Sequence, residues 1–196
     1  MMSYPQSAGR LISSALISLS VATLGSEGAL AAGRATQAEA MAMDACALLS
    51  ADEISAVVHF KVERGERNDS GRIHDGPHSG AYSSTCLWKA AEDASANDPG
   101  LPLGGARFAI LNLMSWPAGS RHAGKFLQDF RDAAEDQTIA TTPVPLTIGD
   151  DSLWWGDGVA VRKGNISYGV SVHSVNERPL ERQMEETLAT KIVGRL

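Results

Sequence analysis

Two histidines and a carboxylate lie within five residues, between His74 and His78. Together with Asp75, these imidazoles are ligand types that copper and zinc take in proteins. The surrounding sequence is polar and rich in glycine, and ligands on a mobile loop must be ordered before they can hold a metal. We interpret the segment as a solvated loop and keep a metal site formed by His74, Asp75 and His78 as an alternative hypothesis.

A run of alternating residues near the C-terminus is a second place where chemistry could occur. From 165 to 173 apolar and polar residues alternate, as in a strand with two different faces. The polar face carries Ser167, Gly169, Ser171 and His173. Small side chains leave room for a ligand above this face, although a solvated sheet face has the same pattern. Ser171 and His173 could also serve a hydrolase with dispersed catalytic residues, but their backbones are about 6–7 Å apart along the strand.

The acidic and aromatic run from 149 to 157 is a third candidate for binding. Its carboxylates could contribute to a calcium site, and its two tryptophans could contact a sugar ring. A calcium site needs about six to eight suitably spaced oxygens, and this run lacks that spacing. Trp154 and Trp155 are adjacent, so in a strand they point to opposite faces and only one can line a given cleft. We keep Trp154 as a candidate ligand contact, with ordinary packing in the sheet as the alternative.

The two cysteines, Cys46 and Cys86, are expected to form a disulfide. In an oxidising compartment an even number of cysteines most simply forms bonds, and only one pairing is possible here. A redox site would require C-x-x-C, and two thiolates do not complete a tetrahedral zinc site. In the chain-entropy model the closed loop contributes about 4 kcal/mol to stability.

Signatures of common enzyme families do not occur in the sequence. The motifs G-x-S-x-G, S-x-x-K, H-E-x-x-H and G-x-G-x-x-G are all missing. Their absence weakens an enzymatic interpretation without excluding it, because a catalytic triad needs only proximity in space. We expect no cofactor.

The N-terminus has the pattern of an export signal. Arg10 precedes an apolar stretch from 11 to 24, and a small-residue cleavage site, A-L-A, follows at 29–31. As a helix, at about 1.5 Å per residue, the stretch would reach about 21 Å, short of a bilayer core of about 30 Å. We expect a signal peptide over 1–31 and a flexible leader over 32–43. The protein should then be periplasmic or secreted, with no membrane span after cleavage.

Composition predicts one globular domain, over residues 44–196. The 196 residues are 43% hydrophobic and 20% charged, which argues against low complexity, a collagen-like chain and wholesale disorder. The formal charge of −6, from 17 basic and 23 acidic residues, argues against a nucleic-acid footprint over the whole surface. The expected partner is an unidentified protein, an envelope component or a small ligand, and not nucleic acid.

Capping residues mark the start of the first helix. Ser50 and Glu53 form an S-x-x-E capping box, which predicts a short helix over 51–57. The alternation that follows predicts a strand over 58–63. The polar sequence of 64–81, rich in glycine, asparagine and aspartate, predicts a long exposed loop.

The remaining elements follow from hydrophobic periodicity and turn chemistry. Further strands are expected at 82–89, 106–116, 152–155, 158–163 and 165–173, with an irregular stretch at 91–105. Further helices are expected at 120–135 and 179–194, and the buried stripe of the last one should contain Leu180, Met184, Leu188 and Ile192.

This order of elements predicts an α+β fold. Short connections favour an antiparallel sheet of about six strands with helices on one face. The order could also reflect two units of one helix and three strands, followed by a C-terminal helix. That interpretation rests on a count of elements and not on a match of residues.

Three short motifs recur in one family of proteins. They are C-A-L-L-S-A-D-E at 46–53, C-L-W at 86–88 and I-G-D-D-S-L-W at 148–154. In these motifs the chain resembles a family of small exported bacterial proteins of uncharacterised function, many of them lipoproteins. That family usually closes the first helix with glycine, where this chain has Val58 and His59, and the lipid-attachment cysteine is missing here. The resemblance implies an extracytoplasmic binding or accessory domain and supplies no catalytic residues.

These observations favour an exported, soluble, non-enzymatic domain that binds a partner protein, an envelope component or a small ligand. Two alternatives stay open: a periplasmic hydrolase with dispersed catalytic residues, and a metal-binding protein that uses His74 and His78. The residues expected to contact a ligand are Ser167, Ser171, His173 and Trp154.

Overall fold

A seven-stranded antiparallel sheet organises the structure. The computed structural model describes residues 42–91, 107–174 and 178–196. The expected signal peptide, almost all of the expected leader and most of the irregular stretch expected at 91–105 lie outside these residues. None of the helices within the described ranges is long and apolar enough to cross a membrane.

The chain begins with a 3-10 turn and then alternates helices and strands. The 3-10 turn is Ala45–Ala47. The helices are α1 (Ala51–Val58), α2 (Ala123–Glu135) and α3 (Arg178–Val193). The strands are β1 (Glu66–Arg72), β2 (Tyr82–Lys89), β3 (Phe108–Ser115), β4 (Val144–Pro145), β5 (Asp151–Trp154), β6 (Val159–Lys163) and β7 (Ile166–His173).

The expected α+β class with an antiparallel sheet is confirmed. The strands lie in the order β1-β2-β3-β7-β6-β5-β4, and each pair of neighbours is antiparallel. Helix α1 is followed by three strands, as expected, but α2 is followed by four. The additional strand, β4, is only two residues long and forms one edge of the sheet.

The strand expected over 58–63 is wrong. Val58 is the last residue of α1, and it is buried together with Ile54, one helical turn earlier. The helix ends at His59, which has a left-handed φ of 61° at a position where glycine is most favourable. Of the expected strand only Val62 pairs, in an isolated bridge with Ala90. Val58 belongs to the helical spacing that starts at Ile54, but it also begins the alternation with Phe60 and Val62 that suggested a strand.

The loop expected over 64–81 contains strand β1 instead. This strand pairs with β2 alone, so it forms the second edge of the sheet. Its register is irregular between Asp69 and Gly71, as in the bulges that often interrupt edge strands. Because most of its residues face solvent, β1 has no hydrophobic alternation that could reveal it.

The expectation that the helices lie on one face of the sheet is wrong, because they lie on both faces. Ser167 and Tyr168 are consecutive in β7, so their side chains point to opposite faces. Ser167 Oγ donates to the carbonyl of Ala123 in α2 at 2.6 Å. Tyr168 donates its hydroxyl to the carbonyl of Ala189 in α3 at 2.7 Å. Helix α2 therefore covers one face, and α3, against which α1 packs, covers the other.

The main core lies between the sheet and helices α1 and α3. Its largest fully buried members include Leu49, Ile54, Trp88, Leu111, Tyr168, Leu188 and Ile192. The stripe predicted for α3 is correct for Met184, Leu188 and Ile192, but Leu180 is 40% exposed. The other buried positions of α3 include two glutamates, Glu181 and Glu185.

Candidate functional site

The expected disulfide between Cys46 and Cys86 is confirmed. It joins the 3-10 turn to β2, with the two Cα atoms 5.0 Å apart and a sequence separation of 40. Cys86 and Trp88 point to the same face of β2, as the period of two requires, and both are buried in the main core. The bond therefore fastens the segment before α1 to the sheet.

A polar network holds the same segment against the sheet edge. The backbone N–H of Ala45 donates to Ser84 Oγ at 3.0 Å, and Ser84 donates to Asp69 Oδ1 at 2.7 Å. Arg67 forms ion pairs with Asp69 and, at 3.1 Å, with Asp44. The hydrogen bond from Arg67 holds the pKa of Asp69 below its ordinary value. Strand β1 thus supplies the groups that keep residues 44–47 in place.

A cavity of about 500 Å³ opens beside this disulfide. We name it the disulfide cavity. The 3-10 turn and the start of α1 form one wall, and the chain entering β1 forms the other. Its walls include Cys46, Ala47, Leu49, Arg64, Arg67 and Trp88. It combines an apolar surface with guanidinium groups, a combination found in sites for small ligands.

Gly65 makes the wall of the disulfide cavity possible. A Cβ at this position would lie 2.5 Å from the sulfur of Cys86 and 2.7 Å from Nε1 of Trp88. Both distances are far below van der Waals contact, so only glycine lets the backbone pass this close to the disulfide and the indole. Since Gly65 is also part of the cavity lining, the backbone itself forms part of the cavity surface.

The two guanidinium groups of the cavity differ in their partners. Arg67 is engaged by Asp44 and Asp69. Arg64 is exposed and forms no ion pair or hydrogen bond within the described part of the chain. The cavity therefore has one cation that is held in place and one that is available to a ligand.

A second cavity, of about 380 Å³, lies between α2 and the β4 edge of the sheet. Arg131, the one basic side chain in its lining within the described ranges, donates to both carboxylate oxygens of Asp151, at 2.9 and 3.1 Å. Pro143 and Pro145 form part of its lining. Since its guanidinium is already paired with a carboxylate, this cavity offers less to a charged ligand than the disulfide cavity.

The structure does not bring the four residues of the expected ligand face together. Ser167 is fully buried beneath α2. The register pairs Trp154 with Val159 and Val159 with Val170, so the Trp154 side chain lies on the opposite face of the sheet from Ser167. There its Nε1 donates to Glu185 Oε2 at 3.1 Å.

Ser171 and His173 lie on the same face of β7 as Ser167 and are half-buried. Within the described residues no hydrogen bond joins them. The ring of His173 lies against Phe108, with 4.5 Å between the centroids, and burial lowers its pKa. The arrangement lacks the contact between hydroxyl and imidazole by which a base activates a nucleophile.

The side chains of His74, Asp75 and His78, the alternative metal site, are not brought together either. His74 and Asp75 are exposed, whereas His78 turns towards α2 and pairs with Asp129 through Nε2 at 2.9 Å. Its ring lies near Trp116, 6.1 Å between centroids. Among the residues that the structure describes, no three His, Cys, Asp or Glu side chains are placed to hold a metal ion.

Two buried glutamates of α3 are the titratable groups that sequence reasoning missed. Glu185 is fully buried, and burial raises its pKa to about 7. Glu181, 3% exposed, accepts from the N–H and the hydroxyl of Ser174 at 2.7 and 3.0 Å. Their spacing of four residues, beside Met184 and Leu188, was a signal of burial, but the first turns of a helix also favour acidic residues on exposed positions.

Comparison with known proteins adds no relative to this picture. No family model, no curated protein and no solved structure matches the chain.

Proposed function

We propose that the protein is an exported, non-enzymatic binding domain that takes a small ligand in the disulfide cavity. The observation that carries this proposal is the cavity itself, in which the disulfide, the indole of Trp88 and two guanidinium groups line about 500 Å³. Pockets of about 300–1,000 Å³ with an apolar lining and a few polar groups are typical of small-molecule sites.

The disulfide supports the exported location. Such bonds persist in oxidising compartments and are rare where thiols are kept reduced. Here the bond between Cys46 and Cys86 is part of the core and of the cavity wall. A protein whose binding surface depends on a disulfide fits the periplasm or the outside of the cell, in agreement with the export signal expected over residues 1–31.

Binding is favoured over hydrolysis by the surroundings of Ser171 and His173. His173 packs against Phe108, and no hydrogen bond links it to Ser171 in the described ranges. A panel of ester, peptide and glycoside substrates tests this choice. Hydrolysis that disappears in His173→Ala would overturn the non-enzymatic proposal.

The ligand can be sought without knowing its identity. The protein, as residues 32–196, is incubated with a small-molecule extract of the cells that produce it, repurified and denatured, and the released compounds are identified by mass spectrometry. We expect a compound retained by the wild type and lost in Ala47→Trp, because Ala47 is exposed and lines the cavity, so that the indole can fill it.

Ala56→Trp is the matched control. Ala56 is exposed on α1, outside the cavity lining, so its variant should retain the compound. The site is misassigned if Ala47→Trp retains the compound as well as the wild type does. If the wild type retains nothing, the binding proposal fails.

Export is tested on the same preparation. The protein recovered from the periplasm or medium should begin at residue 32 and contain no titratable thiol. Recovery only from the cytosol, with two free thiols, would contradict the proposed location.

A further inference from the structure

We infer that the disulfide cavity selects a ligand with one carboxylate group on an apolar body, and that Arg64 binds the carboxylate. This inference rests on the proposed function and specifies the chemistry of the same site. Three features of the cavity carry it: an unengaged guanidinium at its rim, a neutralised ion pair beside it, and an apolar interior with one unsatisfied donor.

Arg64 is the group that can bind the charge. A guanidinium presents its N–H donors in a planar fork that matches a carboxylate, with two parallel hydrogen bonds. Arg64 is exposed and makes no ion pair within the described part of the chain, so it needs no partner exchange to receive a ligand.

Among the described residues, the only acidic side chain that lines the cavity is already paired with a guanidinium. Asp44 accepts from the guanidinium of Arg67 at 3.1 Å and from the backbone N–H of Cys46 at 2.8 Å. Arg67 in turn pairs with Asp69. Asp69 lies outside the described lining, in which Arg64 and Arg67 set two positive charges against the single negative charge of Asp44.

The interior of the cavity accepts an apolar body. Ala47 and Cys46 of the disulfide supply the accessible apolar surface, and Leu49 and the indole of Trp88, each 1% exposed, form its base. Nε1 of Trp88 makes no hydrogen bond with another described residue. It is therefore a donor available to a ligand that reaches the base of the cavity. A purely inorganic anion would use Arg64 and leave this surface uncovered.

Two isosteric probes separate charge from shape. We use 2-naphthoate and its neutral analogue 2-naphthamide, and follow the indole N–H of Trp88 by ¹H–¹⁵N correlation spectroscopy, with the resonance assigned by Trp88→Phe. We expect both probes to shift this resonance and naphthoate to bind about tenfold more tightly, as a charge-assisted hydrogen bond predicts. Inorganic phosphate should bind weakly and should compete poorly with naphthoate.

Variants of Arg64 assign the preference to this residue. Arg64→Gln should reduce the affinity for naphthoate to that for naphthamide, and Arg64→Lys should keep part of the difference. Arg121→Gln is the control, because Arg121 is also exposed but lies outside the cavity lining. It should bind both probes as the wild type does.

The outcomes distinguish this inference from the proposed function. If naphthoate and naphthamide bind equally and both are lost in Ala47→Trp, the carboxylate preference is wrong while the cavity still binds ligands. If phosphate displaces naphthoate at equal concentration, the site is a general anion site and the apolar part of the inference fails. If naphthoate leaves the Trp88 resonance unmoved, the inference is overturned, and the proposed function is then decided by the retained compound alone.

Discussion

The carboxyl group of Glu185 takes the place of a neighbouring strand beside Val172. Its Oε1 accepts the backbone N–H of Val172 at 3.2 Å, because β6 begins at Val159, which pairs with Val170, and so ends before reaching this point. Ser174 lies two residues after Val172, and its backbone N–H donates to Glu181 in the same way. The two glutamates of α3 accept from backbone N–H groups at the end of β7, which would otherwise be buried without partners.

Replacing Glu185 by glutamine should remove a pH dependence of stability. Burial raises the pKa of Glu185 from 4.5 to about 7, and the charge of Glu181 adds to this effect. Hydrogen bonds from Val172 and Trp154 and the charge of Arg178 lower the pKa but do not offset the burial. Well below pH 4.5 the group is protonated in both the folded and the unfolded state. Between about 4.5 and 7 the unfolded chain ionises first, so the native state loses about 3 kcal/mol as the pH rises.

Urea unfolding of the wild type and Glu185→Gln at pH 5 and pH 8 measures this effect. At pH 5 the free energy of unfolding of the variant should be about 1 kcal/mol lower than that of the wild type, since the amide nitrogen cannot accept a hydrogen bond. Between pH 5 and pH 8 the variant should not show the decrease in stability that ionisation of Glu185 causes in the wild type. Glu186→Gln, which alters a half-buried carboxylate paired with Arg182 at 2.7 Å, should keep the wild-type profile. An unchanged pH profile in Glu185→Gln would contradict the assignment.

Local signals in the sequence predicted the elements whose form depends on near neighbours. The capping box of Ser50 and Glu53 is present, with Ser50 Oγ accepting from the N–H of Glu53. The alternation in β7 correctly separated Tyr168, under α3, from Ser167, under α2. The disulfide followed from the number of cysteines. Each of these depends on residue types close in sequence or on a single possible pairing.

What the sequence did not reveal depends on which strands lie side by side. Glu181 and Glu185 bond the end of β7 on the side where β6 does not reach it, and this position could be predicted only if the strand order were known. The disulfide cavity depends on the path of Arg64 and Gly65, and the polar sequence there predicted only a loop. An edge strand such as β1 buries little, so hydrophobic periodicity cannot report it.

Removing the disulfide should destabilise the domain by about 4 kcal/mol. The bond closes a loop with a sequence separation of 40, and its loss frees the unfolded chain from that constraint. We expect Cys46→Ala/Cys86→Ala to lower the midpoint of chemical unfolding. A reducing agent should lower the midpoint of the wild type to a similar extent and leave the variant unaffected. Equal stability of the oxidised and reduced wild type would refute this structural role.

Replacing His59 by glycine should stabilise the domain by about 1 kcal/mol. His59 ends α1 with a φ of 61°, a conformation that is strained for a residue with a Cβ and unstrained for glycine. Its side chain is exposed, so its removal costs little. His59→Ala separates the two effects, because alanine removes the imidazole but keeps the strain and should bring no gain. The measurement is the free energy of unfolding, and a gain in His59→Ala equal to that in His59→Gly would contradict the backbone explanation.

Two glycine-to-alanine substitutions should have opposite effects. In Gly65→Ala the new Cβ would meet the sulfur of Cys86 at 2.5 Å and the indole of Trp88 at 2.7 Å, and neither group can move without disturbing the core. We expect a loss of about 1–3 kcal/mol, as for other overpacked sites. In Gly124→Ala, inside α2, nothing lies within 4 Å of the new Cβ, and alanine should stabilise the helix by about 0.5–1 kcal/mol. Thermal unfolding compares the two variants directly. If Gly65→Ala is as stable as the wild type, the cavity wall can move to accommodate the new Cβ. The close approach of the backbone to the disulfide and the indole would then not require glycine.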